Sequence, residues 1–426
     1  MRKLWIASLL VAACAASEQP NEILERIRKN VAEQLSKSVN YTCTESLDRS
    51  YYRNNGFAMA IHGPEAVSIP KNELVHDRLR LDVAVSGGKE IYAWHGAGRF
   101  SAAEVTDFVH NGAISSGQFV GYLKNIFLFT GVEFRYHGKS SEHGVPIYRF
   151  DFEVPLQASG SRVRTPSGYR KIPFHGWFTA RASDFQLTSI NVIDDQLPPD
   201  SKLQSVQTDL RYQLARISGR EALIPSLFIL QIQDNDHVFS VSRGDYSGCR
   251  EFGSQSTLRF DATDEPARSE AAIPKPHPSL PAGLSLRVAL NTEIKDETAY
   301  AGDPVEGVLM RAVKVPGSGE IIPKNAVLRG IITRFVAYFQ PEIQYDLRIE
   351  FRQLAFGNRT YQLKAVHEPN PREFYPVYGS IVPENVTKQL RGGSMLIESK
   401  HVHLRKHFTA NWKTVAMESA TEQPVN

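Results

Sequence analysis

From Asn40 onward the apolar residues recur at every second position, and no other feature restricts the fold of this 426-residue chain so tightly. A period of two puts alternate side chains on one face of an extended strand, so a chain that repeats it must bury one face of many strands. Val75, Asp77, Leu79, Leu81, Val83 and Val85 alternate with His76, Arg78, Arg80, Asp82 and Ala84, and Ser86-Gly87-Gly88 then turns the chain into residues 89–94. This predicts a hairpin. Tyr148, Phe150, Phe152 and Val154 repeat the alternation, and further strands are expected at 176–180, 185–193, 208–217, 224–233 and 237–246. Strands so numerous and so evenly spaced predict one large antiparallel sheet that curls. Segments 284–290, 305–313, 326–335, 345–356 and 360–365 are also strand-like, and after a Pro- and Gly-punctuated excursion over 368–400 a last strand is expected at 401–410. The chain therefore reads as mainly β with a few helices.

Two stretches change period. Over 21–38, Leu24, Ile27, Val31 and Leu35 share one face of a helix, with Asn21 expected as its N-cap. Between 101 and 129, Ser101-Ala-Ala-Glu104 matches a capping box, and Phe119, Val120, Leu123, Ile126 and Phe127 form a second apolar stripe suited to covering a curled sheet. Residues 261–281 have no period and carry prolines at 266, 274, 276, 278 and 281, which predicts a semi-extended linker with few packing contacts. The expected organisation is a signal peptide over 1–16, a first domain over 17–260, the linker over 261–281 and a second domain over 282–426.

The signal is read from Arg2 and Lys3, the apolar run from Leu4 to Val11 and the small residues from Ala12 to Ala16. Val11-Ala12-Ala13-Cys14 matches a bacterial lipobox, in which Cys14 would carry lipid, while Ala13-x-Ala15 equally serves ordinary signal peptidase. Either way the chain is expected to be exported, periplasmic or anchored at the outer membrane. Once Arg2 and Lys3 leave, the formal charge of +3 falls to +1, so no basic excess remains for nucleic acid. No phosphate-cradling glycine loop occurs, and no nucleotide or other cofactor is expected. With Cys14 assigned to the signal, Cys43 and Cys249 remain, and a pair in an oxidising compartment is expected to form a disulfide.

Several constellations invite chemical readings. Ser68-Ile-Pro-Lys71 and Ser86-Gly-Gly-Lys89 have Ser-x-x-Lys spacing, yet neither opens a helix and no companion motif exists. His401, His403 and His407 are the densest histidines, but Lys400, Arg405 and Lys406 would repel a cation, so a solvated strand face is expected and no metal. Asp194-Asp195 and Asp234-Asn-Asp236 fall where strands reverse and read as turn residues before acid/base pairs or calcium ligands. Asn40, Asn358 and Asn385 begin Asn-x-Thr sequons. No catalytic residue is assigned.

Asn40-Tyr-Thr-Cys-Thr44, Gly112-Ala-Ile-Ser-Ser-Gly-Gln-Phe119 and Tyr246-Ser-Gly-Cys-Arg-Glu-Phe252 look like blocks of uncharacterised secreted acidobacterial proteins. The order of elements over 21–260 (exported helix, strand, helical cover, strand meander) resembles the lipoprotein-carrier-like half-barrels of the LolA and LolB type, with the related anti-sigma-factor regulators. Leu280-Pro-Ala-Gly283, Ala301-Gly-Asp-Pro-Val305, Ile321-Ile-Pro-Lys-Asn-Ala326 and Leu328-Arg-Gly330 resemble the small β-barrel of TrbI-type secretion proteins: a proline-glycine entry, an exposed turn, an Ile-Pro step and a strand. The resemblances imply a curled antiparallel half-barrel with covering helices followed by a small β-barrel. They also imply a non-enzymatic envelope protein with lipid or lipoprotein acyl chains as partners. For half-barrels they imply an apolar cleft, here lined by Tyr122, Phe127, Phe129, Phe134, Tyr148, Phe150 and Phe152, although the same rings equally suit an ordinary core. The alternative function is a scaffold or docking subunit among envelope proteins, and the third, a hydrolase, lacks a visible constellation.

Overall fold

The computed structural model describes residues 19–37, 40–53, 73–97, 100, 105–109, 114, 116–236, 238–251, 278–340, 342–368 and 393–417. The signal region, Ser68, Lys71, Asn385 and the segment 101–104 lie outside them. The first helix, α1 (Pro20–Lys37), turns Ile23, Ile27 and Val31 into the core. Its cap is Gln19 and not Asn21: the amides of Glu22 and Ile23 donate to the Gln19 carbonyl, and Pro20 takes the first helical position, where no amide is needed.

The strands of the first unit are β1 (Tyr41–Arg53), β2 (Glu73–Ser86), β3 (Lys89–Trp94), β4 (Glu133–Glu142), β5 (Val145–Val154), β6 (Arg162–Thr165), β7 (Gly168–Lys171), β8 (Phe174–Arg181), β9 (Leu187–Asp194), β10 (Leu203–Ile217), β11 (Arg220–Asp234) and β12 (Val238–Glu251). Antiparallel pairing runs β3–β2–β1–β12–β11–β10–β9–β8–β5–β4, while β6 and β7 form a separate hairpin. Among the described residues the sheet is open, with β3 and β4 at its ends. Its inner face packs on α1 and on α2 (Gly121–Leu123), which continues into a π-wound turn at Lys124–Leu128. The expected hairpin is β2–β3, and Gly87 and Gly88 both adopt the positive φ its tight turn requires. Cys43 on β1 is bonded to Cys249 on β12, with α-carbons 4.1 Å apart. The bridge joins the first strand of the sheet to the last in sequence.

In the second unit lie β13 (Ser285–Leu290), β14 (Ile294–Lys295), β15 (Pro304–Leu309), β16 (Val313–Lys314), β17 (Ile321–Ile322), β18 (Val327–Tyr338), β19 (Gln344–Phe356), β20 (Arg359–His367), β21 (Ser394–Glu398), β22 (His403–Leu404) and β23 (Thr409–Val415). Pairing runs β13–β15–β18–β19–β20–β23 and returns to β13, which closes a six-stranded antiparallel barrel. The strand expected over 401–410 is instead divided between β22 and β23, because His407 adopts a left-handed φ of 69° and breaks the extended run. Residues 261–277 of the expected linker lie outside the described residues; Leu280, at its end, is buried in the barrel core, and its amide donates to the Gln362 carbonyl.

Ala301-Gly302-Asp303 is not an exposed turn. Ala301 is buried in the core of the first unit, exchanging backbone hydrogen bonds with Arg78 and Arg80 of β2, while Gly302 donates to Ile332 of β18. Gly302 has φ of 106°, and a Cβ there would lie 2.1 Å from the Arg80 carbonyl oxygen, so only glycine fits. Beside it β18 pairs directly with β2, Val336 opposite Asp77 and Tyr338 opposite Val75. Arg80 pairs with Asp303 and lies 4.1 Å over the Tyr300 ring, and Arg78 donates to the carbonyls of Asp296 and Glu297. The barrel is thus sewn onto the half-barrel along β2.

Candidate functional site at the open edge of the half-barrel

Of the expected cleft rings, all but Phe129 fall in one aromatic network, and Phe178, which sequence reasoning passed over, touches four of them. Phe178 on β8 is fully buried, with its centroid 4.9 Å from Phe127, 5.4 Å from Phe150, 6.2 Å from Phe134 and 6.5 Å from Phe152. Period two explains why: Phe134, Phe152 and Gly176 are opposite one another across β4, β5 and β8, as are Tyr136, Phe150 and Phe178. Tyr122 packs edge-on to Phe174, and Tyr148 stacks on Phe185. Tyr122, Phe127, Tyr148, Phe150 and Phe152 are all buried, so at this level the space between helix and sheet is filled by side chains.

The filling thins toward the edge. On β4, whose other side meets no strand among the described residues, Phe134 and Tyr136 face inward yet stay half-buried. Beside them the chain leaving the π-turn exposes Leu128 and Phe129, the latter to 43 %. Helix α1 borders the mouth with cations: Arg28 donates Nε to the Phe127 carbonyl at 3.0 Å and lies 5.8 Å over Phe134, and Arg26 lies 4.9 Å over Phe185. Lys139 of β4 lies 5.4 Å over Tyr148. A guanidinium over a ring face is held by the ring quadrupole, which keeps these cations at the apolar rim. The result is a half-buried apolar edge, the mouth, between α1 and β4, bordered by Arg26, by Lys139 and by Arg28, which also pairs with Glu25 at 3.7 Å.

Behind the core the same inner face holds two carboxylates that sequence reasoning did not find, Glu45 buried and Glu90 half-buried. Glu90 accepts from the amides of Gly117, Phe119 and Val120 at 2.9–3.1 Å and from the Tyr92 hydroxyl, pinning the start of the helical cover to β3. Burial raises its pKa against these hydrogen bonds. Glu45 on β1 is pushed up to about 8, by burial first and then by the nearby Glu90 charge, while the Tyr246 hydroxyl donated at 3.1 Å works the other way. Tyr212 adds a third tie, donating to the Gln118 carbonyl at 2.7 Å. Little in the local sequence marks these acids: Glu90 is held mainly by backbone amides 27–30 residues away, with Tyr92 its one near partner, and Glu45 by Tyr246, 201 residues away.

The remaining constellations are placed elsewhere. Ser86 and Lys89 flank the β2–β3 turn. His401 bonds Asp296 and His403 bonds Glu293, and no three potential metal ligands converge among the described residues. Asp194 is buried at the end of β9, where burial and then Asp195 push it up to about 7; Asp234 accepts from the amides of Asp236 and Val238, as a turn residue does. No helix among the described residues is long and apolar enough to cross a membrane.

These features define a class by architecture: an open antiparallel half-barrel closed on its inner face by helices and fused to a six-stranded barrel. No protein-family model and no curated protein matches the chain. Among solved structures it is similar to a LolA-superfamily protein from Nitrosomonas europaea, at 11 % identity over 56 % of this chain and 95 % of that one, with a TM-score of 0.27. It is also similar to a DUF1329 family protein from Desulfovibrio piger, at 11 % identity over 56 % and 96 % of the two chains, with a TM-score of 0.28.

Proposed function

We propose that the chain is a non-catalytic, exported envelope protein whose half-barrel binds a single apolar chain, a fatty acyl group of a lipid or lipoprotein, at the mouth between α1 and β4. The observation that carries this reading is the aromatic column itself, which runs from the buried Phe178 through Phe150 and Phe152 to the half-exposed Phe134 and Tyr136. An acyl chain lying along it would remove the exposed rings from water, at about 25 cal/mol for each Å² covered. The groups named at the mouth are rings, the Arg26 and Arg28 guanidinium groups and the Lys139 ammonium, which suit contact with an apolar chain and an anionic headgroup. The export signal and the half-barrel resemblance support the same reading.

Titration with cis-parinaric acid tests it. The exported chain is expected to give saturable fluorescence enhancement, weakened at least tenfold by Phe134→Glu or Tyr136→Glu and unchanged by Arg329→Glu on the barrel. Absence of saturable binding, or equal binding by both mouth variants, would overturn the reading.

A further inference from the structure

The second barrel presents a surface that acyl binding does not use. Its β16–β17 hairpin is two-faced: Val313 is in register with Ile322 and Lys314 with Ile321, and residues directly opposite share a face. Ile322 is fully buried and Val313 packs on the barrel core, which seats the inner face. The outer face therefore carries Ile321, 62 % exposed, at a position where period two calls for a polar residue. Glu320 fixes the hairpin, accepting from the Tyr361 hydroxyl at 2.5 Å and from Arg359 at 2.6 Å.

Backbone hydrogen bonds gather further residues at this end of the barrel. The Met310 amide donates to Arg287 and the Asn325 amide to Leu309, both at 2.8 Å, which brings Arg287, Met310, Arg311 and Lys324 beside the hairpin. Met310 is 40 % exposed. Arg287, Arg311, Lys314 and Lys324 are exposed and form no ion pair among the described residues, whereas Arg329 pairs with Glu306 and Arg359 with Glu320. Two exposed apolar side chains thus stand among four uncompensated cations. We propose that this end of the barrel docks on an anionic lipid surface, with Ile321 and Met310 entering the interface and the four cations meeting headgroup phosphates. An acidic protein would satisfy the charges but would need a separate pocket for Ile321; a lipid interface offers apolar depth and negative charge together.

The test is flotation of the exported, processed chain, carrying Cys14→Ser so that no acyl anchor contributes. The vesicles are pure phosphatidylcholine or phosphatidylcholine with one-third phosphatidylglycerol. Expected are binding to the anionic vesicles only, a drop of several-fold on raising salt from 0.05 to 0.5 M by screening, and at least a tenfold loss in Ile321→Ser/Met310→Ser and in Lys314→Glu/Lys324→Glu. All four positions are exposed, and protease resistance confirms folding. Phe134→Glu should leave vesicle binding unchanged, which separates this surface from the mouth. Failure of the parent chain to float, equal binding to neutral vesicles, binding retained by both hairpin variants, or loss in Phe134→Glu would each overturn the proposal; binding of the hairpin to acidic proteins without vesicle flotation would do the same.

Discussion

The two β units of this chain solve the same problem in different ways. In the closed barrel every strand has two neighbours, and a core made mainly of Leu, Ile and Val around Trp412 fills it. The half-barrel ends in two strands, β3 and β4, and its core is rich in Phe and Tyr. Being open, it is tied by the Cys43–Cys249 bridge, by α1 on the inner face and by Glu90 holding the cover to β3, whereas the closed barrel adds to its pairing a buried Arg334–Asp346 ion pair between β18 and β19. The interior of this six-stranded barrel is filled by its own side chains, whereas the open sheet ends in a strand whose inward rings stay half-buried.

Removing the disulfide should separate the units most. Cross-linking across 206 residues is worth about 5.4 kcal/mol in the chain-entropy model, so Cys43→Ser/Cys249→Ser should bring the half-barrel's unfolding to much lower denaturant. Hydrogen exchange resolved by segment should show β13–β23 protected after β1–β12 have opened; simultaneous opening would mean the seam along β2 makes one cooperative unit. Next in size, Phe178→Ala should cost about 3–5 kcal/mol in urea unfolding, because the cavity would be walled by three rings on paired strands and by Phe127 on the π-turn; a loss below about 1 kcal/mol would show that the column can collapse.

A smaller effect should appear with pH. Glu45 keeps its proton in the folded state up to about 8, while the unfolded chain releases it near 4.5. Protons bound by the folded state in excess make stability fall as pH rises between those values, by at most about 1.4 kcal/mol per unit, and level off above. Glu45→Gln should flatten that slope in half-barrel unfolding curves; an unchanged slope would assign it to other groups. Smallest of all, Arg329→Ala on the barrel surface should change stability by no more than about 0.5 kcal/mol, since its ion pair with Glu306 is exposed; a larger loss would mean that the barrel leans on its exposed ion pairs as well as on closure.

Much of this architecture is legible in the period of the chain, because burying one face of a strand writes alternation directly into the sequence. β2, β5 and most barrel strands follow it. β4 escapes notice: only Phe134 and Tyr136 alternate before the polar run from His137 to Glu142, as suits an end strand whose outer half is wet. Tyr136 was nevertheless within reach, two residues beyond Phe134. Ala301-Gly-Asp has the composition of a surface turn and becomes an inter-unit strap only when β2 and β18 meet. Glu45 and Glu90 were hard to read for a related reason, since a carboxylate covered by tertiary contacts looks in sequence like any strand surface acid.

The central claim is that the open edge, and not the closed barrel, receives an apolar chain. Photolabelling with a diazirine-bearing fatty acid, followed by peptide mapping, tests it most directly. The account predicts adducts on the peptides spanning 128–136 and on α1, competed away by unlabelled fatty acid. Adducts confined to the β16–β17 hairpin, or scattered and not competed, would contradict it.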